Sequence, residues 1–225
     1  MAKMTRYALS FSGGKDSTLA LHRAVRQGLD VACLFTIYEG SSERVRFHGV
    51  RPSLIQAQAD AVGIPLVLDH THPDDYDVTL ARVLDRLQAE GIGGIVFGNI
   101  HLADIRGWYE ERTLARGLKH VEPLWGEDPL TLAREVVAAG YTPLVASIDL
   151  ARLPREWVGR QLDDALLDEI VLRPGVDPAG ERGEYHTFVT SGPLFRRPVS
   201  ARTGERVEME GHALVDLILG EDDAN

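Results

Sequence analysis

The chain has one cysteine, three lysines and no long apolar run, and each shortage closes off a class of protein. A lone Cys33 cannot form an intramolecular disulfide, a paired-cysteine zinc site or a two-cysteine redox centre. It sits in Val31-Ala-Cys-Leu-Phe35, an apolar run that predicts a buried strand and an inert core thiol. No stretch reaches the roughly 20 apolar residues of a membrane-spanning helix. Residues 1–6 lack the apolar core of a signal peptide, so a cytoplasmic protein without membrane partners is expected. Basic charge is scarce as well: 24 Lys and Arg stand against 34 Asp and Glu, a net charge of −10. So acidic a chain is not expected to bind extended nucleic acid, which calls for a basic face.

What the chain does have is concentrated near its start, in Tyr7-Ala-Leu-Ser-Phe-Ser-Gly-Gly-Lys-Asp-Ser-Thr18. Residues 7–11 are apolar and end at a glycine pair, as a buried strand would. Leu21, Ala24 and Val25 then recur at helical spacing, and Gly28 closes that helix. Between strand and helix lies Ser12-Gly13-Gly14-Lys15-Asp16-Ser17. Two glycines let backbone N–H groups turn inward, and a helix N-terminus adds free donors and partial positive charge. Ser12 and Ser17 add hydroxyls, and Lys15 adds a compact cation in a chain whose only other lysines are Lys3 and Lys119. This is the chemistry of a phosphate cradle, although a helix capped by Ser12 or Asp16 after a glycine turn also fits. The spacing is not that of a Walker A loop, and Asp16 would repel phosphate unless a cation lay between them. Asp16 therefore implies magnesium.

Further along, apolar strands at residues 31–36, 65–68, 94–98 and 120–124 alternate with helical stripes. Ile55, Ala59 and Val62 follow a candidate cap at Ser53; Leu80, Val83, Leu84 and Leu87 form a second stripe; residues 103–116 a third. The alternation predicts an α/β fold, a parallel doubly wound sheet with helices on both faces. Ligands sit at the carboxyl ends of such strands, which gathers Ser12, Gly13, Gly14, Lys15, Asp16, Ser17, Thr36, Gly98 and Asn99 round one crevice. From about residue 128 the pattern changes to helix 130–137, strand 142–148, helix 163–172, then β-like runs at 185–189 and 194–199. A smaller α+β domain is expected there, so the chain divides into residues 1–127, which carry the cradle, and 128–225. Residues 220–225 are expected to fray.

The second concentration is Asp177-Pro-Ala-Gly-Glu-Arg-Gly-Glu-Tyr-His-Thr187. A surface turn with solvated acids is one reading. If Glu184 begins a strand, Glu184 and His186 share a face, and a carboxylate paired with an imidazole binds ammonium, holds a metal or moves a proton. Histidines 22, 70, 72, 101, 120 and 212 show no ligand-like spacing and are expected in solvated or core roles.

The loop at residues 12–17 resembles that of the N-type ATP pyrophosphatases, the PP-loop superfamily with its HUP-type sheet. Gly180-Glu-x-Gly-Glu-Tyr-His-Thr187 resembles the signature of the diphthine–ammonia ligase family within it, and Phe47-His-Gly-Val50, Val96-Phe-Gly98, Pro123-Leu-Trp-Gly126 and Trp157-Val-Gly-Arg160 fit too. Asn99 stands where that family commonly has aspartate. The resemblance implies an ATP-dependent, AMP-forming ligase: a carboxylate is adenylated, ammonia displaces AMP, and pyrophosphate is released. It implies ATP, magnesium held by Asp16, and ammonium as ligands, and translation elongation factor two, carrying diphthine, as acceptor. It assigns catalysis to Lys15, Asp16, Glu184 and His186, and substrate binding to His48, Arg160, Glu181, Glu184 and His186. A ligase for a small carboxylic acid and a non-catalytic nucleotide sensor remain open beside it, as does a homodimer. A tRNA thiolase is disfavoured by the missing cysteines and the acidity. No cysteine is placed to hydrolyse glutamine, so free ammonia is the expected nitrogen source.

Overall fold

The computed structural model describes residues 4–40, 44–45, 49–72, 74–209 and 211–220. Five parallel strands form the larger sheet: β1 (Arg6–Ser10), β2 (Asp30–Glu39), β4 (Leu66–Thr71), β5 (Gly94–Val96) and β6 (Lys119–Val121). They lie in the order β4-β2-β1-β5-β6, and the two-residue β3 (Arg44–Val45) pairs antiparallel with the end of β2. The chain thus builds outward from β1 on one side through β2 and β4, then returns to build on the other through β5 and β6. The order reverses between β1 and β5, the switch point at which doubly wound sheets open a crevice.

Alternation along the strands explains the two covered faces. Tyr7, Leu9, Leu34 and Val96 join one buried cluster; Ala8, Cys33, Phe35, Ile37, Ile95 and Phe97 join the other. Helices α1 (Lys15–Arg26) and α2 (Pro52–Val62) cover the first face through Leu19, Ala20, Leu54 and Ile55. Helix α3 (Tyr76–Ala89) covers the second with Leu80, Val83, Leu84 and Leu87, and α4 (Ala103–Leu114) follows β5 on that side with Trp108 and Tyr109. Burial pushes the Cys33 thiol up to about 11, as befits a core thiol rather than a nucleophile.

The carboxyl-terminal part is a four-stranded antiparallel sheet in the order β8-β7-β10-β9, from β7 (Pro143–Asp149), β8 (Tyr185–Val189), β9 (Ala201–Met209) and β10 (His212–Leu219). Helices α5 (Pro129–Ala138) and α6 (Asp164–Val171) pack beside it. Its inner residues Val145, Ile148, Tyr185, Phe188 and Val215 belong to the same cluster as Leu9 and Leu54. The second sheet is thereby fixed over α1 and α2.

Three local expectations differ from the structure. Residues 194–199 form no strand: Pro193 and Pro198 remove ladder donors there, and the segment turns. Ser53 does not cap α2; Arg51 holds the cap position and Pro52 opens the first turn, where its missing N–H costs nothing. Neither Ser12 nor Asp16 caps α1, whose N-cap is Gly14 with no side-chain cap bond. Residues 221–225, expected to fray, lie outside the described residues.

Candidate active site

A cavity of about 270 Å³ opens at the switch point. Its walls come from the loop after β1, the loop after β5, helix α4 and the segment leading into β8. Of the expected residues, Ser12, Lys15, Asp16, Ser17, Gly98, Asn99, Glu181 and His186 line it.

The loop is strained open and then knitted shut. Gly13 takes φ 77°, and a Cβ there would lie 2.3 Å from Gln58 Oε1. Gly98 sits so close to α1 that a Cβ would stand 3.1 Å from the Asp16 carbonyl carbon and 3.2 Å from Ser17 N. Those are backbone atoms at a helix start and cannot swing aside. Ser17 Oγ donates to Gly14 O at 3.1 Å and lies 3.2 Å from Ser12 Oγ.

The two concentrations seen in the sequence meet here. Lys15 N donates to Thr187 Oγ1 at 3.0 Å, and Val189 N donates to Gly13 O at 2.9 Å. Lys15 Nζ reaches Asp16 Oδ2 at 2.8 Å, donates to Ala179 O, and lies 5.0 Å from the centre of the Tyr185 ring. Strand β8 and the segment before it are therefore both bonded to the cradle rather than confined to a separate half-site. Burial by itself would lower the Lys15 ammonium, but Asp16, Tyr185 and Glu181 outweigh it and hold Lys15 charged. Burial also holds the Asp16 carboxyl above its usual range, against the pull of Lys15.

Glu181 is pushed up to about 7, by burial first and then by the charge of Asp16, while Lys15 opposes the shift. A raised carboxyl pKa means that the folded chain keeps a proton which the unfolded chain releases near the ordinary 4.5. Stability from this group is thus fully present below about pH 4.5 and lost as pH climbs through about 7. Glu181→Gln is expected to flatten that fall between these limits, measured as melting temperature against pH for both proteins.

Other expected residues are placed elsewhere. Glu184 is 0% exposed and does not line the cavity. It stands just before β8, and its Oε1 accepts from Arg152 Nη1 at 2.9 Å and from Asp177 N at 3.0 Å, while Oε2 accepts from Arg182 N at 3.1 Å. The expected shared face with His186 does not form, because Glu184 turns back into its own loop. Arg160 pairs with Glu169 of α6 at 2.8 Å, outside the cavity. Thr36 is buried at β2 with its hydroxyl donated to Phe11 O. His48 lies outside the described residues.

Two residues entered with no site expectation. Gln58, fully buried on α2, donates from Nε2 to Gly13 O at 2.9 Å and Val189 O at 2.6 Å, tying cradle to β8. A glutamine on the face shared by Ile55, Ala59 and Val62 is the signal that marks it. His101, expected to be solvated or in the core, pairs through Nε2 with the buried Asp177, linking the loop after β5 to the segment before β8. Nothing in their spacing, 76 residues apart, points to that pair.

Among the described residues no three His, Cys, Asp or Glu side chains stand together as a metal cage. Asp16 faces the cavity, its side chain 27% exposed, and Glu181 lines the same cavity. One or two carboxylates beside a phosphate cradle suit magnesium, which completes its shell with phosphate oxygens and water.

Two stretches of the chain match known protein families. Residues 5–120 match the diphthamide synthase N-terminal domain and residues 128–217 the diphthamide synthase C-terminal domain. The chain belongs to the diphthamide synthase family. Its relatives include the diphthine–ammonia ligases of rat, 25% identical over 90% of this chain and 85% of that protein, and human, 27% identical with the same coverage. The fission-yeast diphthine–ammonia ligase is 26% identical over 88% of this chain, which spans 36% of that longer protein. Among the described residues, no helix of this family member is long and apolar enough to cross a membrane.

Proposed function

We propose that the protein is an ATP-dependent ligase of diphthamide formation, joining ammonia to a carboxylate with release of AMP and pyrophosphate. The observation that carries this reading is the direct bonding of Lys15 to Thr187 of β8 and to Ala179 before it, which sets the phosphate cradle and this second stretch on one cavity. A protein that only sensed nucleotide would need the first alone. The names of the relatives support diphthine as acceptor; that it is carried on translation elongation factor two, in the cytoplasm, is part of the same proposal. Residues 1–127 then serve chiefly the nucleotide and 128–225 the acceptor and nitrogen, with the segment before β8 serving both.

In this reading the β- and γ-phosphates of ATP lie in the loop of residues 12–17. The Ser12 hydroxyl and the first turn of α1 donate to them, and the Ser17 hydroxyl joins by turning from Gly14 O. Magnesium bound at Asp16 would supply charge neutralisation beside the departing phosphates. Lys15, held charged, offsets the charge that builds on pyrophosphate as its bond to the α-phosphorus breaks. The acceptor carboxylate oxygen forms the new bond to that phosphorus. The nitrogen then attacks the acyl carbon and AMP departs. An ammonium ion sheds one proton before attack and a second as the amide forms, and Glu181 and His186 face the cavity to take them. Glu184 serves by holding that segment in place.

Separation of the nucleotide products tests the reading. AMP and pyrophosphate in equal amounts, dependent on ammonium and acceptor, are expected; ADP as the main product would rule it out.

A further inference from the structure

Beside the part of the cavity wall made by the loop after β5 lies a buried acid with no part in the reaction above. The Glu122 side chain, just past β6, is 3% exposed. Its Oε1 accepts from Asn99 Nδ2 at 2.7 Å and lies 3.0 Å from His120 Nε2; its Oε2 lies 2.9 Å from Arg106 Nε. His120 is stacked on Phe97, ring centres 5.0 Å apart, and the Arg106 guanidinium lies 4.8 Å from the Trp125 ring centre. Neighbours thus flank the acid on three sides; the Asn99 contact is the one with hydrogen-bond geometry, and Asn99 is the member of the group that also lines the cavity.

An amide offers a donor nitrogen and an acceptor oxygen, whereas a carboxylate only accepts. Glu122 therefore selects the nitrogen of Asn99 and leaves the oxygen for the cavity. We propose that Glu122 is a positioning residue: it turns Asn99 Oδ1 into the cavity, where that oxygen accepts a hydrogen bond from the incoming nitrogen. The inference rests on the ligase reading. A carbonyl oxygen repels phosphate, so an N–H donor is the chemistry it recognises, and the carboxyl groups of Asp16 and Glu181 on the same cavity favour a small cation such as ammonium. Gly98, packed against Asp16 and Ser17, puts Asn99 on the same cavity as the cradle, the space the acyl group and the nitrogen must share.

The test exchanges donor and acceptor. Asn99→Asp alone sets two carboxylates against each other at the present 2.7 Å contact and is expected to lower kcat/KM for ammonium by about tenfold or more. Adding Glu122→Gln restores a donor behind position 99 and an acceptor in front of it. The double variant is expected to recover to within about threefold of wild type, with ATP affinity by calorimetry steady within about twofold throughout. Asn99→Leu, which keeps the bulk and removes the oxygen, is expected to raise KM for ammonium about tenfold with little change in ATP affinity. An Asn99→Leu enzyme with unchanged KM, or no recovery in the double variant, would overturn the proposal. A second readout needs no turnover: in 15N-labelled protein the Asn99 side-chain NH2 resonance, assigned by its loss in Asn99→Leu, is expected to move in Glu122→Gln. If it stays put, Glu122 does not hold the amide. Wild-type protein with no ammonium-dependent AMP formation would instead bring down the ligase reading and the ammonium assignment with it, while the resonance still reports on Glu122.

Discussion

Glu184→Ala is expected to cost about 2–4 kcal/mol of stability, from two backbone donors and an arginine left without their acceptor. The carboxylate is 0% exposed and accepts from Asp177 N and Arg182 N as well as from Arg152. The arginine is the smaller part, because its side chain is 41% exposed and water replaces much of what it loses. The two N–H groups close the turn that leads into β8, and the Asp177 N bond is wholly buried. At about 2–4 °C per kcal/mol for a chain of this size, the melting temperature should fall by roughly 5–15 °C. Calorimetric melting measures it. ATP affinity should weaken in the same variant, because the turn also delivers Ala179 O to Lys15 Nζ and leads to Thr187, which meets Lys15 N. Glu184→Gln keeps one acceptor, sets an NH2 against a backbone donor, and should show a smaller loss of both. A variant that melts like wild type but loses turnover would mean that Glu184 acts on the reacting atoms, and its bracing role would have to be given up.

How far the sequence speaks for itself differs between elements for physical reasons. Strands buried on both faces read as unbroken apolar runs, so β1, β2 and β5 are visible to within a few residues, and the stripe at Leu80, Val83, Leu84 and Leu87 marks α3 because it meets one face of the sheet. Strand β9 is hidden: it is an edge strand, its residues Arg202, Glu205, Arg206 and Glu208 face solvent, and no alternation of apolar and polar residues betrays it. The cradle is legible because its chemistry is local, six consecutive residues between a strand and a helix. Glu184 misleads because period-two alternation holds only inside a strand, and β8 begins one residue later, at Tyr185. Gln58, Glu122 and the His101–Asp177 pair are invisible for a different reason. Each is a polar group whose partner comes from a distant segment, up to 131 residues away for Gln58 and Val189, and only the folded sheet order brings the two together.

The largest catalytic effect is expected at Asp16. Asp16→Asn keeps the size of the side chain and an oxygen that accepts from Lys15, so the 2.8 Å contact survives as a weaker one. Lys15 also keeps the carbonyl of Ala179 and the ring of Tyr185, so the ammonium is not stranded. The Asp16 side chain is 27% exposed at the cavity, which spares the core, and the melting temperature should change by no more than a few degrees. What the substitution removes is a negative charge on the cavity. In the proposed reading a divalent cation would lose the carboxylate that holds it, and charge building on the departing pyrophosphate would go unmatched. Loss of one such stabilising group costs about a hundredfold to a thousandfold in rate. Turnover of Asp16→Asn should therefore fall by about that factor, and the magnesium concentration for half-maximal rate should rise. If the variant melts normally, turns over at near wild-type rate and shows the same magnesium dependence, Asp16 is not the metal ligand, and Glu181 becomes the carboxylate to test next.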